Sequence, residues 1–208
     1  MKRRSLILSS ATLVALPFLG RAAGAKERAN PMPDALRKAL ERDPTAPVLG
    51  NPQGDVTLVE FFDYNCQYCH KMVGTVQQLI GSDNNLRITF REWPVFGSDS
   101  EAAARASLAS LQQGKYWQMH TGLFNQRGRA TEVSAMRVAR QIGLDTDKLT
   151  RDMQSKQVSD HIATSFELAD HMGLEGTPFF IAGDEGTFGA HSIQEMRALI
   201  RRARELDA

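Results

Sequence analysis

Cys66 and Cys69 are the only cysteines in this chain, and they stand two residues apart in Cys66-Gln67-Tyr68-Cys69-His70. At the start of a helix, such a pair can close a disulfide across one turn. The first thiol then sits at the helix N-terminus, where unpaired N–H groups and the positive end of the helix dipole stabilise a thiolate. Thiols in such motifs fall from a pKa of about 8.5 to roughly 3.5–7.5. The second thiol lies one turn deeper and is more shielded. This asymmetry predicts exchange: an exposed Cys66 thiolate, or its disulfide, trades with a substrate, and Cys69 resolves the mixed disulfide.

Other chemistries use the same residue types. A structural disulfide across so short a loop would add little, because the benefit grows with loop length. A zinc or copper site needs further ligands at near spacing, and His120, His161, His171 and His191 form no such cluster. C-x-x-C-H is also the attachment pattern of c-type haem, and these five residues leave that reading open.

The elements that must position the pair follow from the flanking sequence. Val56 to Asp63 is a β-rich run with apolar residues on both faces, which suits a central strand covered on both sides. Val56, Leu58, Glu60 and Phe62 alternate onto one face, while Val59 and Phe61 occupy the other. A carboxylate in that row is expected to be buried, with a raised pKa. Beneath the helix that carries Cys69, Glu60 could move a proton to or from the deeper thiol; the alternative is a structurally paired glutamate at a sheet end. Asp63 and His70 fall nearer the surface by pattern, and His70 could tune the thiolate.

Residues 66–80 read as a helix, and Leu86 to Trp93 as a second strand stopped by Pro94. From Ser100 to about Leu174 only helical segments are evident, broken at Gly114, Gly128 and Gly143. Gly176 to Ala182 forms a short strand begun by Pro178. That proline is either cis or an ordinary trans proline opening an edge strand. Gly186 to Ala190 can be the hairpin partner. Ser192 and Glu195 form a capping-box signature for a last helix, whose apolar stripe is Met196, Leu199, Ile200, Ala203 and Leu206. Without the helical block, the order is βαβ followed by ββα.

Ahead of the first strand, residues 26–50 hold a short helix from Pro33 to about Arg42 and a turn-rich linker. The helix either lies on the domain surface or serves as an oligomerisation arm. Residues 1–25 have no acidic side chain and run from Lys2, Arg3 and Arg4 through an apolar stretch to Ala23-Gly24-Ala25. That is the layout of a cleaved secretory signal, too short in its apolar run to span a membrane. Arg3-Arg4-Ser5-Leu6-Ile7 resembles a twin-arginine export signal, with the general secretory route as the alternative. The formal charge of +1 belongs to the precursor: without Lys2, Arg3, Arg4 and Arg21, 21 basic residues face 24 acidic ones, giving −3. Near-neutral charge gives no push toward nucleic acid. The length of 208 residues fits one domain, or one domain with an insertion.

Glu60-Phe61-Phe62-Asp63-Tyr64-Asn65-Cys66-Gln67-Tyr68-Cys69-His70 resembles the active-site segment of the DsbA-like thiol–disulfide oxidoreductases. Gly176-Thr177-Pro178-Phe179-Phe180-Ile181 resembles that family's cis-proline segment, and Arg91-Glu92-Trp93-Pro94 its second strand. The resemblance implies an α/β fold, a thioredoxin fold with an inserted helical domain. The expected organisation is a signal peptide over 1–25, a helix and linker over 26–50, a thioredoxin-like domain built from 51–97 and 175–208, and helices inserted over 98–174. The resemblance also implies Cys66 as nucleophile and Cys69 as resolving thiol, with Glu60, Gln67, Tyr68 and His70 in support. Thr177 and Pro178 would lie against the disulfide and pair with substrate backbone. No cofactor or metal is expected. The expected partners are exported proteins with cysteines and a membrane redox partner that reoxidises, or reduces, the pair in the periplasm. Gln67-Tyr68 departs from the Pro-His of the best-known oxidase, which leaves oxidase, isomerase and reductase open. Self-association of the N-terminal arm would favour an isomerase.

Overall fold

A computed structural model describes residues 32–207; the expected signal peptide, and the segment that follows it up to residue 31, lie outside the described residues. The described chain runs α1 (Asp34–Glu41), β1 (Val48–Gly50), β2 (Val56–Phe62), α2 (Gln67–Ser82) and β3 (Leu86–Glu92). Five helices follow: α3 (Ser98–Ala109), extended by a 3-10 turn, α4 (Tyr116–Asn125), α5 (Glu132–Gln141), α6 (Thr146–Asp152) and α7 (Lys156–His171). The chain closes with β4 (Phe179–Ala182), β5 (Glu185–Phe188) and α8 (Ile193–Asp207).

The strands form one sheet in the order β1-β3-β2-β4-β5, with β2 and β3 parallel and the other pairs antiparallel. This is a thioredoxin fold with a helical insertion between β3 and β4. Every residue of β2 and of β3 is buried, which requires cover on both faces. One face holds Val56, Leu58, Phe62, Leu86, Ile88 and Phe90 against α2, α8 and the inserted helices. The other holds Val59, Phe61 and Ile181 against Leu40 of α1 and Leu168 and Ala169 of α7.

The turn-rich linker contains a strand that its sequence hides. β1 is three residues long, too short to show alternation, and it exists because it pairs with β3 through Val48↔Thr89, Leu49↔Ile88 and Gly50↔Arg87. Gly50 ends it at φ 76°, and a Cβ there would stand 2.4 Å from the Leu86 carbonyl oxygen.

Helix α1 spends its apolar stripe on its own chain. Its last carbonyls are held by buried arginines of β3: Arg91 donates to the Ala39 and Leu40 carbonyls and pairs with Asp43 at 2.5 Å, while Arg87 donates to the Glu41 carbonyl. Cations at a helix C-terminus complement its dipole. The capping box of α8 forms as its sequence requires, with the Ser192 N–H donating to Glu195 Oε2 at 2.7 Å and the Glu195 N–H to Ser192 Oγ at 3.3 Å.

Candidate active site

Strand β2 delivers the motif, and α2 orients it. Cys66 is the N-cap of α2, with extended backbone, and its sulfur accepts the Cys69 N–H at 3.3 Å. The helix buries Cys69, Met72, Val76 and Leu79, a stripe at helical spacing that fixes the first turn against the sheet. Across the site, the Thr177–Pro178 peptide is cis, and the Cys66 S–H donates to the Thr177 carbonyl at 3.3 Å.

The two thiols differ in the direction expected of an exchange pair. The Cys66 thiol is held down to about 6, chiefly because Cys69 donates to it, with help from Thr177 and the Cys69 and Tyr68 backbone against the opposing effect of burial. The Thr177 hydroxyl is buried with no other hydrogen-bond partner, which leaves it free to serve the thiolate. Cys69 is pushed far up, first by burial, then by its hydrogen bond to Cys66 and the nearby Cys66 and Glu60 charges. One expectation needs correction. Cys66 is not an exposed thiol: at 3 % exposure it is recessed between the first turn of α2 and the Thr177 carbonyl.

Glu60 is buried on the face that carries Cys66 and Cys69 in the core. Its carboxyl is pushed up to about 8, first by burial and then by Cys66 and Glu92. Register places Glu60 beside Phe90 and Phe62 beside Glu92, so a second carboxylate stands diagonally across the parallel pair. Glu92 is fully buried, accepts from the Tyr116 hydroxyl at 2.7 Å and stands 2.9 Å from His161 Nε2.

Asp63 also departs from expectation. It is buried, not near the surface, because its carboxylate binds the loop together: Oδ1 accepts from the Asn65 N–H and Ser100 Oγ, both at 2.7 Å, and Oδ2 from the Phe96 N–H at 3.0 Å. Those donors lie in the insertion as well as in the motif, which a strand pattern does not show. His70 is on the exposed side of α2, edge-on to Phe124 with ring centroids 5.0 Å apart, and its pKa is lowered by partial burial. Gln67 is exposed, and Tyr68 lies 46 % exposed under Lys71 Nζ. Val95, Phe96 and Phe188 are exposed as well. Phe96 is tied to Asp63 through its backbone N–H, and the Phe188 ring lies against Gly176, one residue before the cis Thr177–Pro178 peptide. Among the described residues, no group of three or more His, Cys, Asp or Glu could hold a metal ion.

Several solved structures share this fold. A thioredoxin-like oxidoreductase from Silicibacter pomeroyi DSS-3 is 48% identical, with a TM-score of 0.79 over 81% of this chain and 98% of its own. The thiol–disulfide exchange protein alpha-DsbA2 from Wolbachia pipientis is 28% identical, with a TM-score of 0.75 over 81% and 92%. A periplasmic thioredoxin-like protein from Salmonella enterica serovar Typhimurium is 25% identical, with a TM-score of 0.76 over 84% and 99%. The curated relatives include the Na(+)/H(+) antiporter NhaA 3 of Salinispora tropica, 27% identical over 75% of this chain. The chain spans only 24% of that antiporter's length. Residues 57–201 match the DSBA-like thioredoxin domain. With this match over most of its length, and with the fold and the cysteine pair in place, the chain belongs to the DsbA-like thioredoxin-fold family of thiol–disulfide oxidoreductases.

Proposed function

We propose that the protein forms or rearranges disulfides in exported, cysteine-bearing proteins of the periplasm, with Cys66 and Cys69 as its redox pair. The observation that carries this reading is the placement of two thiols one helical turn apart, Cys66 capping α2 with its sulfur between the Cys69 N–H and the Thr177 carbonyl and Cys69 buried in the core, which lowers the pKa of the first thiol and raises that of the second. In the oxidised form, a substrate thiolate attacks Cys66 sulfur, the Cys66–Cys69 bond breaks, and Cys69 leaves as a thiolate that Glu60 protonates. A second substrate thiolate then attacks the substrate sulfur of the mixed disulfide, releasing oxidised substrate and the Cys66 thiolate. The lowered Cys66 pKa stabilises the reduced pair and so favours donation of disulfides. Turnover then requires a partner that reoxidises the pair, for which we propose a membrane redox protein. Thr177 and Pro178 border the sulfur where substrate backbone would pair, and the exposed Tyr68, Phe96 and Phe188 suit extended apolar segments of unfolded chains.

Attachment of haem through the same motif needs both sulfurs presented outward. Both are buried here, Cys66 against Thr177 and Cys69 in the core, so the geometry supports exchange. The periplasmic placement rests on the N-terminal sequence and on the Salmonella relative. The test is trapping in an exported proteome: Cys69→Ala is expected to accumulate mixed disulfides on Cys66, and Cys66→Ser to form none. Absence of adducts with Cys69→Ala, in a folded protein, would refute the reading.

A further inference from the structure

His161 and Glu92 meet in the interior, both side chains fully buried, with Nε2 2.9 Å from Oε2. Neither atom has a hydrogen-bond partner of good geometry among the described residues, so the contact is one of close approach between a ring nitrogen and a carboxylate oxygen. The second ring nitrogen, Nδ1, faces Thr45 Oγ1 at 3.4 Å. The Thr45 hydroxyl proton is already used, because Oγ1 donates to Asp43 Oδ1 at 2.7 Å. Toward His161, Thr45 is therefore an acceptor. Each ring nitrogen therefore faces an oxygen atom, a carboxylate on one side and a hydroxyl on the other. An imidazolium at this place would have its carboxylate partner in Glu92, which also accepts from Tyr116. A buried charge needs such a partner.

We propose that Glu92 and His161 are positioning residues of the exchange reaction: a buried, net-neutral carboxylate–imidazolium pair that sets the electrostatic surroundings in which Glu60 exchanges a proton with Cys69. This rests on the exchange reading above. The groups facing Glu60 are Cys66 and Cys69, Tyr64 after β2, and Glu92 from β3. Those facing Glu92 are Tyr116 of α4, His161 of α7, Tyr64, and its neighbour Arg91, whose charge Asp43 engages. Glu92 acts on Glu60 directly, across the β2–β3 pair, and His161 acts by cancelling part of that effect. Removing the carboxylate and removing the imidazolium therefore have opposite consequences for Glu60. A purely structural role would give losses of one sign.

The experiment mixes reduced protein with dithiobis(nitrobenzoic acid) between pH 6 and pH 9.5. The Cys66 thiolate attacks a probe sulfur, forms a mixed disulfide and releases one thionitrobenzoate. Cys69 sulfur then attacks Cys66 sulfur, its proton passes to the Glu60 carboxylate, and the second thionitrobenzoate leaves as a thiolate. The rate of this second release is expected to rise with pH around a midpoint near 8, where Glu60 ionises. Glu92→Gln is expected to move the midpoint down, and His161→Gln to move it up, each by roughly half a unit or more. Midpoints that stay in place, or shift in the same direction, would overturn the proposal while a normal first release leaves the exchange reading intact. Loss of the first release would instead strike the exchange reading. Should either variant fail to fold, nitrogen-15 spectra of the unaltered protein at pH 8 decide the matter. Protons on both ring nitrogens of His161 support the pair, and a neutral ring refutes it.

Discussion

The Cys66 sulfur donates its proton to the Thr177 carbonyl at 3.3 Å, although 111 residues separate the two in the chain. That contact joins the first turn of α2 to the loop that opens β4. It leaves the sulfur with two settings. As a thiol it is satisfied by the carbonyl. As a thiolate it turns to the Cys69 N–H, the Cys69 thiol and the Thr177 hydroxyl. The site thus stabilises the ionised form without exposing it.

Thr177→Val tests the hydroxyl's share. The substitution keeps the carbonyl contact and the shape, and removes one donor to the thiolate. The Cys66 pKa, read from thiolate absorbance near 240 nm, is expected to rise from about 6 by less than one unit. An unchanged titration would assign the whole effect to Cys69 and the helix N-terminus.

The same lowering has a redox consequence. At pH 7, a thiol at about 6 stabilises the reduced pair over one at about 8.5 by roughly 1.4 kcal/mol, or about 30 mV. The Cys66–Cys69 potential, measured against glutathione, is expected to lie above thioredoxin's value of about −270 mV. Thr177→Val should lower it by less than 30 mV or so. A potential at or below thioredoxin's would point to a reductant.

Glu60 and Cys66 act oppositely on stability. Glu60 has a raised pKa, so its contribution is intact below about 4.5 and is lost as pH rises through about 8. Cys66 has a lowered pKa, so the reduced protein gains stability above the unfolded value of about 8.5 and loses it as pH falls through about 6. Denaturant unfolding of Glu60→Gln is expected to show a gain over the unaltered protein that grows from pH 5 to pH 8, reaching a few kcal/mol. Cys66→Ser in the reduced state should show a loss that grows from pH 6 to pH 8.5. Glu60→Gln is also expected to slow proton-coupled steps at Cys69 about 100-fold, the low end of general acid–base effects.

How much of this was legible in the sequence depended on range. Alternation placed Glu60 on the buried face, and a buried carboxyl without a cation must be hard to ionise. The capping box announced α8, because its two partners are three residues apart. What stayed hidden was settled by partners far away. Asp63 looked like a surface residue because Ser100 and Phe96, its donors, lie beyond β3. Arg91 and Glu92 sit charged in a central strand, a pattern that makes sense only once α1, Asp43, Tyr116 and His161 surround it. β1 is visible only through its pairing with β3. The resemblance placed Thr177 against the cysteines, but the recession of Cys66 follows from a hydrogen bond to the Thr177 carbonyl, 111 residues away, that no local pattern shows.

Asp63→Ala tests whether the active-site loop depends on that hidden carboxylate. Three donors converge on it: the Asn65 N–H, the Ser100 hydroxyl and the Phe96 N–H. Ser100 and Asn65 are themselves linked at 2.8 Å, and Asn65 goes on to pair with the Ala130 backbone in the insertion. Removing the carboxylate strands buried donors on both sides of the junction, at a cost of about 1–3 kcal/mol for each one left unsatisfied. The variant is expected to lose about 2–4 kcal/mol in denaturant unfolding, the smaller total reflecting water that enters to replace some bonds. It should also loosen the turn that aims Cys66, because the Cys66 N–H is held by the Asp63 carbonyl at 3.1 Å. Cys66 alkylation would then speed up more than its pKa alone explains, as the recessed sulfur becomes reachable. Asp63→Asn keeps the shape and one acceptor oxygen, and is expected to recover about half of the lost stability. Equal losses in both variants would show that the negative charge, and not the acceptor geometry, holds the loop.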